Sequence, residues 1–195
     1  MQYQGLIDVD DTLLVVIDVQ THFLAKLPPN DARVLSQRIC WLIGVARWLE
    51  VPLVVTAEDI AAIGGVDRQI VRVLPDEVAI FDKHTFGLAG DPAILAAVEQ
   101  TGRRTAVLVG LETDVCVAQS ALGLLDQGYR VAVVADATGS PDSGHAFGIE
   151  RMRDAGVIVI SVKGLFYEWV RTVEMAQRFR VERSRALGSP EGIRM

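Results

Sequence analysis

The chain has 195 residues, half of them hydrophobic, and this length suits one globular domain, 1–195, with a full core. Its formal net charge of −6 argues against nucleic acid or an anionic membrane as the main partner. The two cysteines, Cys40 and Cys116, lie too far apart in the sequence to indicate a disulfide framework or a zinc site. No apolar run approaches the roughly 20 residues that cross a bilayer, and the N-terminal segment lacks the pattern of a signal peptide. We therefore predict a cytoplasmic enzyme or binding domain without a membrane partner.

Strands and helices are predicted to alternate along the whole chain after a short polar arm at 1–11. Apolar, β-branched runs indicate strands, and amphipathic runs with capping residues indicate helices. The predicted strands are 12–17, 52–56, 78–81, 106–109, 130–135 and 157–161. The predicted helices are 31–49, 68–74, 92–100, one from Val115 or Cys116 to just before Gly128, 143–155 and 167–180. Residues 57–66 are predicted to be a loop, and 183–195 a frayed tail or an oligomer contact.

This alternation predicts a three-layer α/β/α fold with a six-stranded parallel sheet covered on both faces. Such Rossmann-like sheets most often have the strand order 3-2-1-4-5-6, with right-handed crossovers. Strands one and four then meet at the topological switch point, where ligands bind beyond the carboxyl ends of the strands. Strand one leads to Asp18 and strand four to Cys116, so the fold brings a carboxyl and a thiol to one crevice. Lys83 follows strand three, roughly 10 Å away at ~4.8 Å per strand, and is expected to reach back.

Cys116 is predicted to lie in the first turn of a helix, directly after a buried strand. Free backbone N–H groups and the helix dipole favour a thiolate at such a position. A free cysteine is, however, often a small buried hydrophobic residue, and position alone does not decide between the two roles. Cys40 has no comparable placement and is predicted to belong to the core.

Asp18, Lys83 and Cys116 together supply a base, a cation and a nucleophile. A thiol of ordinary pKa, about 8.5, is mostly protonated at neutral pH and needs a base to become reactive. Burial raises the pKa of an aspartate and a neighbouring ammonium lowers it, so the three groups are expected to titrate together. The set suits acyl transfer to sulfur, with the oxyanion held by backbone N–H groups and water releasing the acid. Taken singly, each residue has an ordinary structural interpretation as a turn residue, a solvated charge or core.

Three segments of the sequence resemble the signatures of the isochorismatase-like cysteine hydrolases. They are 18–20 (DVQ) with Phe23, Lys83 with Phe86, and 110–117 (GLETDVCV), and the resemblance extends over about 13–173. It implies that Cys116 is the nucleophile, Asp18 the base and Lys83 the charge stabiliser. It also implies a cis peptide bond at Leu111–Glu112 and an oxyanion hole formed by the backbone N–H groups of Glu112 and Cys116. A homo-oligomer, dimer or tetramer, is a further implication.

The sequence departs from the members of that family that hydrolyse nicotinamide. Those members carry an aspartate and histidines after strand two, where they bind a metal, whereas 56–62 contains no histidine here. His22, His84 and His145 are not paired at metal-ligand spacing. We therefore predict no catalytic metal and no cofactor. Since true isochorismatases act on a vinyl ether and some lack the cysteine, Cys116 favours a small amide, ureido or ester substrate.

Phe23, His84, Phe86 and Leu88 are the candidate pocket residues, although an aromatic residue near a strand end belongs to the core at least as often. Asp114 is predicted to cap the helix of the nucleophile.

The preferred hypothesis is a cysteine hydrolase of a small molecule that works through a thioester. Two alternatives stay open: a Rossmann-like module that binds a small ligand without turnover, and a catalytically silent protein that functions by forming oligomers. The glycines around Gly110 do not form a GxGxxG motif, which weakens the first alternative. Nothing in the sequence excludes the second.

Overall fold

A six-stranded parallel sheet forms the centre of the computed structural model, which describes residues 5–194. Its strand order is β3-β2-β1-β4-β5-β6. The strands are β1 (Thr12–Ile17), β2 (Leu53–Glu58), β3 (Ile80–Lys83), β4 (Thr105–Leu111), β5 (Arg130–Gly139) and β6 (Ile158–Ile160). The predicted fold class and strand order are therefore confirmed.

Helices cover both faces of the sheet. They are α1 (Thr21–Leu24), α2 (Pro29–Trp48), α3 (Ile60–Ile63), α4 (Arg68–Val71), α5 (Pro92–Gln100), α6 (Ala118–Asp126), α7 (Gly144–Asp154), α8 (Val162–Val170) and α9 (Val173–Leu187). Side chains of α2, α8 and α9 pack on one face, and those of α5, α6 and α7 on the other. Along β1, which is buried throughout, Leu14 and Val16 join the first core while Leu13, Val15 and Ile17 join the second. This is the two-residue period of a strand covered on both sides.

Four strands, β2 to β5, continue beyond their predicted ends, and β3 and β4 end at Lys83 and Leu111. β2 runs to Glu58 because it pairs with β3 up to the register Glu58↔Lys83, and the segment predicted as a loop also contains the short helix α3. β5 runs to Gly139, which pairs with Leu111 after an irregularity in the ladder. These extensions carry polar side chains to the carboxyl edge of the sheet.

The final part of the chain differs from the predicted single helix over 167–180. It forms α8 and α9, which are separated at Arg171, where φ is +60°. After α9, the Gly188 carbonyl accepts a hydrogen bond from Trp41 Nε1 at 3.0 Å. Arg33 Nη2 lies 2.9 Å from Glu191 Oε1. This segment therefore packs against α2 instead of fraying.

The predicted N-terminal arm is described only from residue 5 onward, and 1–4 lie outside the described residues. Within the described part, Ile7 is buried and Asp8 caps a single 3-10 turn, Val9–Asp11. None of the helices formed by residues 5–194 combines the length and hydrophobicity that crossing a bilayer requires.

Gly110 in β4 is expected to tolerate no side chain. Its φ is +125°, and a Cβ atom there would lie 1.9 Å from the carbonyl oxygen of Ile17 in β1. Gly110→Ala should therefore lower the free energy of unfolding by more than about 3 kcal/mol, measured by urea denaturation. Gly65→Ala is the control, since no atom lies within 4 Å of the added Cβ. Equal unfolding midpoints for the two variants would contradict this packing.

Candidate active site

The carboxyl edge of the sheet brings Asp18, Lys83 and Cys116 together. Asp18 follows β1 with φ +48°, and its N–H donates to the Thr56 carbonyl at 3.1 Å. Lys83 ends β3, and its Nζ lies 3.0 Å from Asp18 Oδ2. Cys116 lies after β4, with its Sγ and one oxygen of Asp18 within 4.8 Å of each other. The strand order led us to expect that Lys83 extends past β2 towards Asp18, and its side chain does so in the structure.

A wide helical turn positions the Cys116 side chain. Residues Thr113–Val117 form a π-helical turn, and α6 begins only at Ala118, so Cys116 precedes the α-helix that it was expected to open. Asp114 does not cap this turn; its carboxylate accepts a hydrogen bond from Ser140 Oγ. A Cβ on Gly148 of α7 would lie 2.8 Å from the Asp114 backbone, which shows how tightly α7 packs on the turn. Single π-helical turns are frequent at functional sites.

Glu58 is a fourth member of the site that the sequence analysis missed. Its Oε2 accepts a hydrogen bond from Cys116 Sγ at 3.1 Å and lies 3.8 Å from Lys83 Nζ. The predicted strand ended at Thr56, which left Glu58 in a presumed loop. The signal that could have found it is the two-residue period of a strand, because Thr56 and Glu58 share one face of β2. Thr56 Oγ1 donates to Asp18 Oδ1 at 2.7 Å on that same face.

Backbone and side-chain partners hold the buried charges in place. Asp18 and Lys83 are fully buried, and the Lys83 ammonium also donates to the carbonyl groups of Thr85 and Phe86, at 2.7 and 3.1 Å. A buried ion pair is stable only when such extra hydrogen bonds satisfy its remaining polar atoms. The ammonium is therefore fixed in position as well as in charge.

The electrostatics of the site favour the neutral thiol. Burial raises the pKa of Cys116 well above its ordinary value; the Asp18 carboxylate raises it further, and Lys83 opposes the rise. Burial likewise raises the pKa of Asp18, against the lowering effects of Lys83 and the Thr56 hydrogen bond. The thiolate expected from a helix N-terminus is therefore not the resting form.

Asp18, Glu58 and Cys116 are also the one set of metal-ligating residues found close together within 5–194, with ligand atoms within 4.8 Å of one another. The Lys83 ammonium already lies beside both carboxylates and supplies positive charge there. A metal ion would have to displace it. The arrangement therefore fits an ion-pair cluster better than a metal centre, and the absence of a catalytic metal stays a prediction.

A family model described as "Isochorismatase domain" matches residues 12–164. The chain belongs to the isochorismatase family. The family segment spans all six strands and every residue of the cluster formed by Asp18, Glu58, Lys83 and Cys116.

Curated relatives carry the same family name. The chain is 30% identical over 182 residues to isochorismatase domain-containing protein 1 of Salmo salar, an alignment that covers 92% of this chain. It is 34% identical over 131 residues, 65% of this chain, to the secreted isochorismatase effector Isc1 of Phytophthora sojae. The chain spans 62% of the length of each of these relatives.

Two solved structures share the isochorismatase-type fold with this chain. YcaC from Pseudomonas aeruginosa, solved with hexane-2,5-diol and covalent acrylamide, matches with a TM-score of 0.81 and 23% identity, over 93% of this chain and 89% of its own. YcaC from Escherichia coli, described as an octameric hydrolase of unknown specificity, matches with a TM-score of 0.82 and 22% identity, over 95% and 94% of the two chains. At these identities the likeness shows the fold alone.

Other residues expected from the family resemblance lie around the cluster. The Leu111–Glu112 peptide bond is cis. Glu112, whose backbone N–H is a candidate oxyanion donor, pairs through its side chain with Lys26 Nζ at 2.8 Å.

The four candidate pocket residues of this family member have different surroundings. Phe23 is buried and lies beneath the Lys26 ammonium. Leu88 is fully buried in the second core, and its N–H donates to Ser120 Oγ. Phe86 is 55% exposed, and the His84 side chain is 65% exposed beside Asp82. Their contact with substrate stays a prediction.

Cys116 is expected to remain a thiol well above neutral pH. Because burial raises its pKa well above that of an ordinary thiol, the thiolate should appear only at strongly alkaline pH. The measurement is the thiolate ultraviolet absorbance of the protein minus that of Cys116→Ala, followed through a pH titration. A thiolate signal that is already complete at neutral pH would contradict the electrostatics described above.

Proposed function

We propose that this isochorismatase-family chain hydrolyses a small amide, ureido or ester substrate through a thioester on Cys116. The observation that carries the proposal is the contact between a buried thiol, carboxylates and an ammonium at one edge of the sheet. Such a set supplies a nucleophile, a proton acceptor and a stabilising cation. Asp18 is the proposed base. Within residues 5–194 its Oδ2 is paired with the Lys83 ammonium at 3.0 Å and accepts no other hydrogen bond, so one of its lone pairs is available for a proton.

The first half of the reaction forms the thioester. The Cys116 sulfur attacks the substrate carbonyl carbon while its proton passes to Asp18, and the carbonyl oxygen becomes an oxyanion. The proposed oxyanion donors are the backbone N–H groups of Glu112 and Cys116. When the oxyanion collapses, the bond from carbon to nitrogen or oxygen breaks, and the leaving group takes the proton from Asp18. Lys83 balances the charge of Asp18 whenever that carboxylate is ionised.

The second half releases the acid. Water attacks the thioester carbonyl and gives its proton to Asp18; the carbon–sulfur bond then breaks, and sulfur recovers the proton. No oxidant, reductant or cofactor is needed for this balance. Two related structures support the proposal: YcaC from Pseudomonas aeruginosa holds covalent acrylamide, a reagent that modifies nucleophilic side chains, and YcaC from Escherichia coli is described as a hydrolase.

The second candidate is a catalytically silent protein that functions as an oligomer. The octameric state given for YcaC from Escherichia coli favours assembly in this fold, and we propose a homo-oligomer for this chain as well. Assembly and catalysis are compatible. Activity measurements therefore decide between the two candidates, whereas sedimentation decides the number of subunits.

Hydrolysis should depend on Cys116 and Asp18 and not on Cys40. A panel of small amides, ureides and esters is assayed for release of amine or alcohol, with Cys116→Ala as the blank. On any substrate found, Asp18→Asn should lower kcat/KM by about 10²–10⁴, the usual contribution of a positioned general base.

Cys40→Ala is the matched control, because Cys40 lies outside the site and burial raises the pKa of its thiol to about 11. Its kcat/KM should equal that of the wild type. Hydrolysis that survives in Cys116→Ala, or that Cys40→Ala abolishes, would refute the thioester mechanism.

A further inference from the structure

Glu58 is the most exposed member of the catalytic cluster. Asp18 and Lys83 are fully buried and Cys116 is 2% exposed, whereas the Glu58 side chain is 22% exposed. Its carboxylate, hydrogen-bonded to Cys116 Sγ at 3.1 Å, is therefore the most solvent-accessible group in contact with the thiol. A substrate that presents its carbonyl carbon to this sulfur comes into contact with Glu58.

The backbone around Glu58 is held rigidly. Buried Gln20 donates from Nε2 to the Glu58 carbonyl at 2.8 Å and accepts from the Glu58 N–H through Oε1 at 2.7 Å. Glu58 also ends β2 in register with Lys83. The fold therefore fixes the backbone position of Glu58, which belongs to a strand and not to a loop.

The charges in the cluster do not balance. Counted formally, Asp18 and Glu58 contribute one negative charge each, and Lys83 contributes one positive charge. Lys83 is shared unequally, since its Nζ lies 3.0 Å from Asp18 and 3.8 Å from Glu58. The excess negative charge thus lies at Glu58, the member of the cluster that is most accessible to solvent.

We infer that Glu58 determines the substrate class of this site: it admits neutral or cationic acyl groups and excludes those with a carboxylate beside the reacting carbonyl. The inference rests on the proposed function and deepens it. Glu58 accepts hydrogen bonds from the N–H groups of an amide or ureido leaving group, and it repels an anionic substituent across a short distance in a site largely shielded from water. Substrate specificity at Glu58 thus combines an attractive contact with neutral or cationic substrates and a repulsive one with anionic substrates.

Alkylation of Cys116 tests this inference without requiring turnover. Iodoacetamide and iodoacetate deliver similar carbon electrophiles, neutral and anionic, and each forms a sulfur–carbon bond with loss of iodide and of the thiol proton. The rate of alkylation at Cys116 is measured by mass spectrometry for each reagent. The ratio of the iodoacetamide rate to the iodoacetate rate is then divided by the same ratio for 2-mercaptoethanol, which corrects for the intrinsic reactivity of the two reagents. The wild type should prefer the neutral reagent by at least about tenfold after this correction.

Glu58→Gln keeps the shape of the side chain and removes its charge. It should reduce the corrected preference by at least about fivefold, and Glu58→Met, a second neutral variant, should do the same if Gln impairs folding. The matched control is Asp59→Asn, which changes the net charge equally at the next residue and preserves a side chain able to cap α3. Its preference should equal that of the wild type.

The outcomes separate the two proposals. A Cys116 alkylation preference that neither neutral variant changes would overturn the role of Glu58 and leave the cysteine hydrolase intact. Hydrolysis that survives in Cys116→Ala would refute the proposed function and, with it, the inference. In hydrolysis assays, the wild type should have a higher kcat/KM for neutral glycolamide than for anionic malonamate. Glu58→Gln should reduce the ratio of the two kcat/KM values.

Discussion

The buried ion pair between Lys83 and Asp18 is the interaction on which the rest of the site depends. Both side chains are fully buried, 3.0 Å apart, at the ends of strands separated by β2. Removing one partner of such a pair usually costs about 3–5 kcal/mol, because the other charge is left buried and uncompensated. A substitution that removes the charge of only one of the two residues should therefore destabilise the protein. The carbonyl groups of Thr85 and Phe86 complete the environment of the ammonium.

Burial, more than the ion pair, keeps the Cys116 side chain a neutral thiol. Burial and the nearby carboxylates raise the pKa of Cys116, and Lys83 offsets only part of that effect. The neutral thiol avoids a further buried negative charge in a cluster that already has one in excess. In the proposed mechanism, sulfur loses its proton as the substrate carbonyl accepts the developing charge.

Glu58 adds a second function to the edge of β2. Its neighbour on the same face, Thr56, donates a hydrogen bond to Asp18, while Glu58 itself accepts one from the Cys116 thiol. One strand thus holds both the partner of the proposed base and the carboxylate that we propose selects the substrate.

The sequence alone determined the fold class, the strand order and the family. Alternating apolar runs and caps are local signals, and the signature around Cys116 is contiguous, so each can be read without coordinates. Only the tertiary structure decided where β2 ends, because its last two residues are held by pairing with β3, and Glu58 enters the site through that register. The π-helical turn at Thr113–Val117 likewise arises within tight packing of α7 against Asp114, far along the chain. Contacts between residues distant in sequence set both features, and local propensity does not report such contacts.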